Sequence, residues 1–393
     1  MNFVYISPSF PKNFYNFCDR LKKRGVVVLA IGDTPYEELS VELRNSINDY
    51  YQVSSLENYD EMVRAMGYFI FHYGRIDWLE SNNEYWLDQD ARLRTDFHIA
   101  TGLQTSMMEE VKCKSLMKSF YEQAHVKTAR YHLVSQREEG KKFVKEVGYP
   151  VIVKPDNGVG ASQTYKLEND QDLEWFYQQD LKNPYIMEEF VDGLLISYDG
   201  IANLNKDILF ETSHVFPNQI MDVVNNNTSM CYYSLREIPE SLRQCGQACV
   251  KTFHTAGRCF HMEFFQLYED KKGLGKKGDY IGLEVNLRTP GGYTPDMMNF
   301  ANDIDVYDIY ADMITKGQSD YQTNRPYYCV YCGRRDHHPY SHSHNDVMSR
   351  YQWDLLMCER MPEILSGAMG NDMYVARFKT MDEVNDFVKY TLK

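Results

Sequence analysis

The chain contains no low-complexity tract and no obvious internal repeat, so neither a biased tail nor a solenoid is in view. It lacks a long apolar run, and the longest, residues 26–31, is far too short to cross a bilayer. The opening Met1-Asn2-Phe3-Val4-Tyr5-Ile6-Ser7-Pro8 has neither a basic start nor an extended apolar stretch, so no signal peptide is expected. Nine cysteines, an odd number without framework spacing, argue against a disulfide scaffold and for a reducing, cytoplasmic setting. A basic excess is missing too. With a formal net charge of −14 the chain has no electrostatic footing for nucleic acid. The doublets Lys271-Lys272 and Lys276-Lys277 read as a solvated turn. Two nucleotide signatures are also absent: no G-x-G-x-x-G follows the first strand, and no Gly-Lys-Ser/Thr opens a helix.

What is present is an ordinary globular composition, 43% hydrophobic and 25% charged over 393 residues, enough for two or three packed units. The first hundred residues alternate. A strand at 3–7 leads to a helix through Phe14, Phe17 and Leu21, then a strand at 26–31, a helix at 39–47 and a strand at 50–53. A helix closing at 62–66 and a strand beginning at 68–72 complete the series, which implies a parallel sheet covered by helices. The acidic run Glu80, Glu84, Asp88, Asp90 before Arg92 and Arg94 reads as a solvated helix surface, with a substrate-facing role as the alternative. One helix is expected over 106–124, with Val111, Met117, Phe120 and Ala124 inward and Lys114 and Lys118 one turn apart. Taken alone, those two lysines read as surface residues.

The chemistry concentrates in Leu283-Glu284-Val285-Asn286-Leu287-Arg288-Thr289-Pro290-Gly291-Gly292. As a strand it puts Glu284, Asn286 and Arg288 on one face and Leu283, Val285 and Leu287 on the other. The apolar face belongs to a core; the other carries hard oxygens beside a cation, which suits Mg²⁺ holding phosphates. A strand at 261–267, turned back through Gly273-Leu274-Gly275, brings Glu263 beside that face. Converging carboxylates repel, so a divalent cation is the economical explanation, with a purely structural Glu263–Arg288 pair left open. Upstream, Tyr149-Pro150-Val151-Ile152-Val153-Lys154-Pro155 is a strand carrying one lysine into a loop with Gly158, Gly160 and Ser162. Backbone N–H groups in such a loop can approach phosphate closely. A second apolar strand ends in Glu188 and Glu189 ahead of Val191, read either as an adenine wall or as a strand leaving the core.

In that order, Lys114, Lys154, the glycine loop, residues 187–191, Glu263 and Glu284-x-Asn286-x-Arg288 resemble the ATP-grasp superfamily, in its carbamoyl-phosphate-synthase and biotin-carboxylase-like branch. The resemblance runs to about residue 315. It implies an α/β and α+β fold: a Rossmann-like pre-ATP-grasp domain over 1–105, then an ATP-grasp domain over 106–317. A mobile lid at about 126–190 and a C-terminal extension, 318–393, packing on the core complete the expected layout. It also implies roles. Lys114 and Lys154 would hold ATP phosphates, Gly158, Gly160 and Ser162 would form the lid, and Glu188, Glu189 and Val191 would make the adenine hinge. Glu263, Glu284 and Asn286 would bind Mg²⁺, with Mn²⁺ as an alternative, while Arg288 stabilises an acyl-phosphate step. Thr289-Pro290-Gly291-Gly292 stands where biotin carboxylases carry Gln-Val-Glu, and resembles the carboxylate–amine ligases instead.

The expected activity is therefore ATP-dependent ligation of a small carboxylate to an amine (or thiol) with release of ADP and phosphate. A carboxyphosphate-forming enzyme and a non-catalytic nucleotide- or metal-binding protein are the alternatives. No nucleic-acid or membrane partner is expected, and a homodimer is left open. In the tail, Cys329-x-x-Cys332 with His337, His338, His342 and His344 fits no standard zinc finger. Arg334, Arg335 or one of those histidines is expected to reach over the site toward an anionic substrate. Asp303 is expected to cap the helix that stops at Gly317.

Overall fold

The computed structural model describes residues 1–158, 163–217, 228–322 and 324–393. A four-stranded parallel sheet opens the chain, with Asn2–Ile6 between Val27–Gly32 and Trp78–Glu80, and Asp49–Gln52 on the outer side of Val27–Gly32. Its inner strands are continuously apolar because both faces are covered: Phe3, Val4, Tyr5 and Ile6 are fully buried. Residues 68–72, expected as a strand, lie instead inside the helix Tyr59–Tyr73. The aromatic run suggested a pleat, but Met62, Ala65, Met66 and Phe69 recur at helical spacing and are all buried. Asn58 caps that helix by accepting from the Glu61 N–H, and Gly74 at φ +84° ends it.

Eight strands form one antiparallel path. In spatial order they are Tyr280–Asn286, Arg258–Leu267, Gly193–Ala202, His214–Phe216, Met230–Ser234, Tyr328–Arg334, Asp372–Phe378 and Leu355–Arg360. Ile208–Thr212 also pairs with Gly193–Ala202. The last three strands on the path come from the C-terminal residues, which continue the sheet edge to edge. Cys329 and Cys332 sit on one of them, and residues three apart on a strand face opposite sides. Cys329 packs with Tyr331 and Met297, Cys332 with Val347 and Phe387, so they cannot converge on one ion. Among the described residues no group of three His, Cys, Asp or Glu side chains is placed to hold a metal.

A separate antiparallel sheet, in the order Tyr131–Leu133, Tyr185–Glu189, Val151–Pro155, Tyr165–Leu167, carries the lysine strand over its own core of Phe143, Val153, Leu173 and Phe176. The helix expected over 106–124 is broken at Cys113, whose extended backbone separates Met108–Lys112 from Lys114–Gln123. Asp156 causes the second start: its carboxylate accepts from the Ser115 N–H at 2.7 Å and hydroxyl at 2.6 Å, and its carbonyl accepts from the Lys114 N–H. That contact ties Lys114 to the end of the lysine strand. Asp303 is not the cap expected of it; it closes Thr294–Asn302 in the left-handed region, and Asp305 caps Val306–Lys316 by accepting from the Asp308 N–H. No described helix is long and apolar enough to cross a membrane.

Candidate active site

The hairpin strands pair so that Glu263 lies directly across from Glu284, and His261 across from Asn286. Cross-strand partners share a face, so four polar side chains crowd one patch of sheet. A bulge follows at once, with Phe264 opposite Gly282 and Leu283 left over. Strict alternation assigned Leu283 to the core, but the extra residue turns it into a cleft of ≈ 460 Å³ that the hairpin shares with the smaller sheet. Burial raises the Glu284 pKa above the ordinary carboxylate value; Lys114 pulls it down and Glu263 pushes it further up. Two half-buried carboxylates facing each other across the hairpin form a donor set that fits a divalent cation, with Asn286 lining the same cleft.

Across the cleft, the Lys114 ammonium donates to the Gly158 carbonyl at 3.0 Å and lies 3.8 Å from Glu284. Lys154 reaches Glu188 at 2.6 Å, and Lys118 reaches the other oxygen of the same carboxylate. Burial would protonate Glu188, but the two ammonium groups outweigh it and hold the carboxyl down at about 2. Burial also opposes the charge on Lys154, where Glu188, Glu284 and Glu263 together raise its pKa; on Lys118 burial wins and the pKa falls. Local pattern alone assigns Lys118 to the surface. It is 6% exposed, because its partner lies 70 residues away on a strand of the smaller sheet.

Arg288 stands just past the strand, its Nε donating to Glu84 at 2.9 Å and its Nη1 to the Thr289 carbonyl at 2.7 Å. Glu84 therefore belongs to the cleft, not to a solvated helix face, while Asp88 and Arg92 are exposed as expected and three of their neighbours are not. Glu80, Asp90 and Arg94 are buried, with Arg94 2.8 Å from Glu80. Glu189 turns the other way, toward Arg130 at 2.8 Å and Lys271 at 3.4 Å, and its N–H donates to the Arg130 carbonyl. The Glu188 carboxylate is likewise committed to lysines, not offered to a base. Val191 lines the cleft at that end with Ala129 and Ile152. Of the residues expected at the site, Lys114, Lys154, Glu188, Glu189, Val191, Glu263, Glu284, Asn286 and Arg288 all border this one space. Gly158 contacts it through Lys114, while Gly160 and Ser162 lie outside the described residues.

Sequence reasoning missed a buried relay behind the hairpin. Asp199 accepts from His261 Nδ1 at 2.5 Å, from His214 Nδ1 at 2.7 Å and from the Ser197 hydroxyl at 2.5 Å. His261 Nε2 then lies 3.4 Å from Glu263. Burial disfavours the imidazolium, yet Asp199 and then Glu263 raise its pKa to about 9. The available signal was Ser197 and Asp199 alternating inside an otherwise apolar strand. Arg335, expected over the site, instead donates to the carbonyls of Thr228, Ser366 and Gly367, and Arg334 donates to that of Thr391.

No sequence-family profile matches the chain. An L-amino acid ligase from Bacillus licheniformis superposes with a TM-score of 0.73 at 13% identity, covering 99% of this chain and 96% of that one. N5-carboxyaminoimidazole synthetase from Staphylococcus aureus gives 0.70 at 13% identity, over 100% and 97%. The chain has the ATP-grasp fold. In sequence, a stretch of 83 residues is 32% identical to D-alanine–D-alanine ligase B of Clostridium perfringens, covering 20% of this chain and 28% of that protein. The chain spans less than half the length of the curated relatives it matches.

Proposed function

We propose that the protein is an ADP-forming ligase that activates a small carboxylate with ATP and passes the acyl group to an amine. The observation carrying this reading is the convergence of Lys114, Lys154, Glu263, Glu284, Asn286 and Arg288 on one cleft between two sheets. Lys114 and Lys154 are the phosphate-holding cations, and Val191 with Ala129 and Ile152 receives the base. Glu263, Glu284 and Asn286 are the residues to hold Mg²⁺, which when bound neutralises charge on the transferring phosphoryl group. Arg288, fixed by Glu84, faces the acid and offsets negative charge as its oxygen attacks the γ-phosphorus and the bond to ADP breaks. The amine then attacks the acyl carbon, phosphate leaves with the C–O bond pair, and the amine loses a proton. Positioning and fixed charge are the protein's contribution.

The same reading divides the chain at about residues 105 and 317, with residues 126–190 as the lid. All nine cysteines are free, which accords with a reducing cytoplasm. The test is an ADP-release screen over carboxylates and amines with mass detection of the condensed product. Loss of release in every acid–amine pair would refute the ligase reading. Bicarbonate belongs in the screen as well; release stimulated by bicarbonate without an amine would favour carboxyphosphate formation.

A further inference from the structure

Past Arg288 the cleft changes character. Its floor there is Phe216, Met230 and Tyr232, and its roof is Leu365, Ala368 and Met369 from the helix Glu363–Met369. The Phe216 and Tyr232 rings stack at 5.1 Å and 15°, and the Tyr232 hydroxyl is engaged with Thr294 Oγ1 at 2.9 Å, so the cleft meets ring faces and not a free hydroxyl. The roof is a built feature. The Tyr331 hydroxyl donates to the Met369 carbonyl at 2.9 Å, and Arg335 donates to the Ser366 and Gly367 carbonyls. Gly333 lets the two segments touch: a Cβ there would sit 1.8 Å from the Met369 carbonyl oxygen. The Met369 side chain in turn reaches the Gly292 turn just after Arg288, where Cε would lie 3.1 Å from an added Cβ.

Among the described residues, the charged side chains bordering the cleft lie elsewhere. Lys114, Lys118, Lys154, Glu188, Glu263 and Glu284 gather at the phosphate end with His261 beside Glu263, Glu189 turns its carboxylate away to Arg130, and Arg288 with Glu84 marks the junction. None of the six floor and roof residues carries a charge. A charged substituent seated among them would be desolvated without a partner, whereas an apolar one would fill space already shaped for it. In such a pocket one methylene changes kcat/KM by about 10–200-fold.

Resting on the ligase reading above, we propose that the acid activated by this protein carries an uncharged apolar side chain, seated between the Phe216–Met230–Tyr232 floor and the Leu365–Met369 roof, with its carboxylate against Arg288. Acid preference is read apart from amine preference by using hydroxylamine as the amine, so that the acyl phosphate is trapped as a hydroxamate and ADP is counted. Leucine, methionine and phenylalanine are compared with glycine, aspartate, glutamate and lysine. The expected result is a kcat/KM for the best apolar acid at least about 10-fold above every member of the second group. A charged acid or glycine turning over as well as the apolar set would overturn the proposal.

A second arm does not need turnover: a thermal-shift titration of the full chain with the same acids in the presence of Mg²⁺ and a non-hydrolysable ATP analogue. If no acid supports ADP release, the ligase reading fails. Stabilisation by the apolar acids alone would then still support the pocket assignment, and its absence would sink that too. Met369→Asp is expected to raise KM for the apolar acids at least about 10-fold while KM for ATP stays within about twofold. Should that variant misfold, Leu365→Asp, at a part-exposed position, reads the same effect.

Discussion

Replacing Glu188 by glutamine keeps its shape and removes the one carboxylate that both Lys118 and Lys154 contact. The side chains of Lys118, Glu188 and Lys154 are 6%, 5% and 11% exposed, so water cannot screen what remains. Breaking a buried ion pair from one side costs about 3–5 kcal/mol. An independent ceiling comes from letting one lysine go neutral: from an ordinary pKa of 10.5, losing the proton at pH 7 costs about 5 kcal/mol. The two figures agree, and Lys118 is the group to yield because burial already lowers its pKa. The sign of the pH dependence follows. A lysine whose folded pKa is depressed binds fewer protons folded than unfolded, so the stability of the variant rises with pH between those two values. Glu188→Gln should therefore lose about 3–5 kcal/mol at pH 7 and about 2–3 kcal/mol less than that at pH 9. Urea titrations of parent and variant at both pH values measure this. A loss under about 1 kcal/mol at pH 7, or the same loss at both, would show that the cluster is hydrated or that Glu188 is not its counter-charge.

Glu284→Ala and Arg288→Ala should each cut ADP release by at least about 100-fold while circular dichroism and Tm stay close to the parent; near-parental turnover in either removes that residue from the site. Burial pushes Asp296 up to about 6 against the donors from Asn13 and Tyr307. The folded state then holds a proton that the unfolded chain releases, so the contribution of Asp296 to stability should fall by up to about 2 kcal/mol as pH rises from about 4 to 6. Asp296→Asn should remove that contribution and exceed the parent's Tm at pH 7.5, so the stability of the parent minus that of the variant should fall across this window; a difference that stays flat or rises would contradict it. Gly333→Ala should cost about 1–3 kcal/mol by driving a methyl into the Met369 carbonyl, measured as a lower urea midpoint and a raised KM for the acid; an unchanged midpoint would mean the roof helix is not seated there.

The residues that could be read one by one are those whose neighbours are close in the chain. Glu284, Asn286 and Arg288 announce themselves by period-two spacing, and a glycine-bearing turn suffices to bring Glu263 alongside. The parallel sheet at the start follows from buried apolar runs separated by helix-length intervals. Where two local patterns competed, packing chose between them: residues 68–72 are aromatic enough for a strand, yet the buried stripe of Met62, Met66 and Phe69 holds them in a helix. The bulge that swings Leu283 into the cleft left no trace in spacing, because one unpaired residue alters register without altering composition.

Charged and polar residues divide along the same line. Local pattern assigns a lysine or glutamate to solvent by default, and that default holds unless a partner arrives to offset desolvation. For Lys118 the partner is 70 residues away, for His261 it is 62, and for Arg288 it is 204. The kinds of chemistry available, oxygen donors beside cations with a lysine strand to meet them, were inherent in residue identity and short-range order. Which charges are buried, which carboxylate serves two lysines, and which side chains form the apolar end of the cleft depended on segments distant in the chain being folded together, since burial and pairing energies belong to contacts and not to positions in a string.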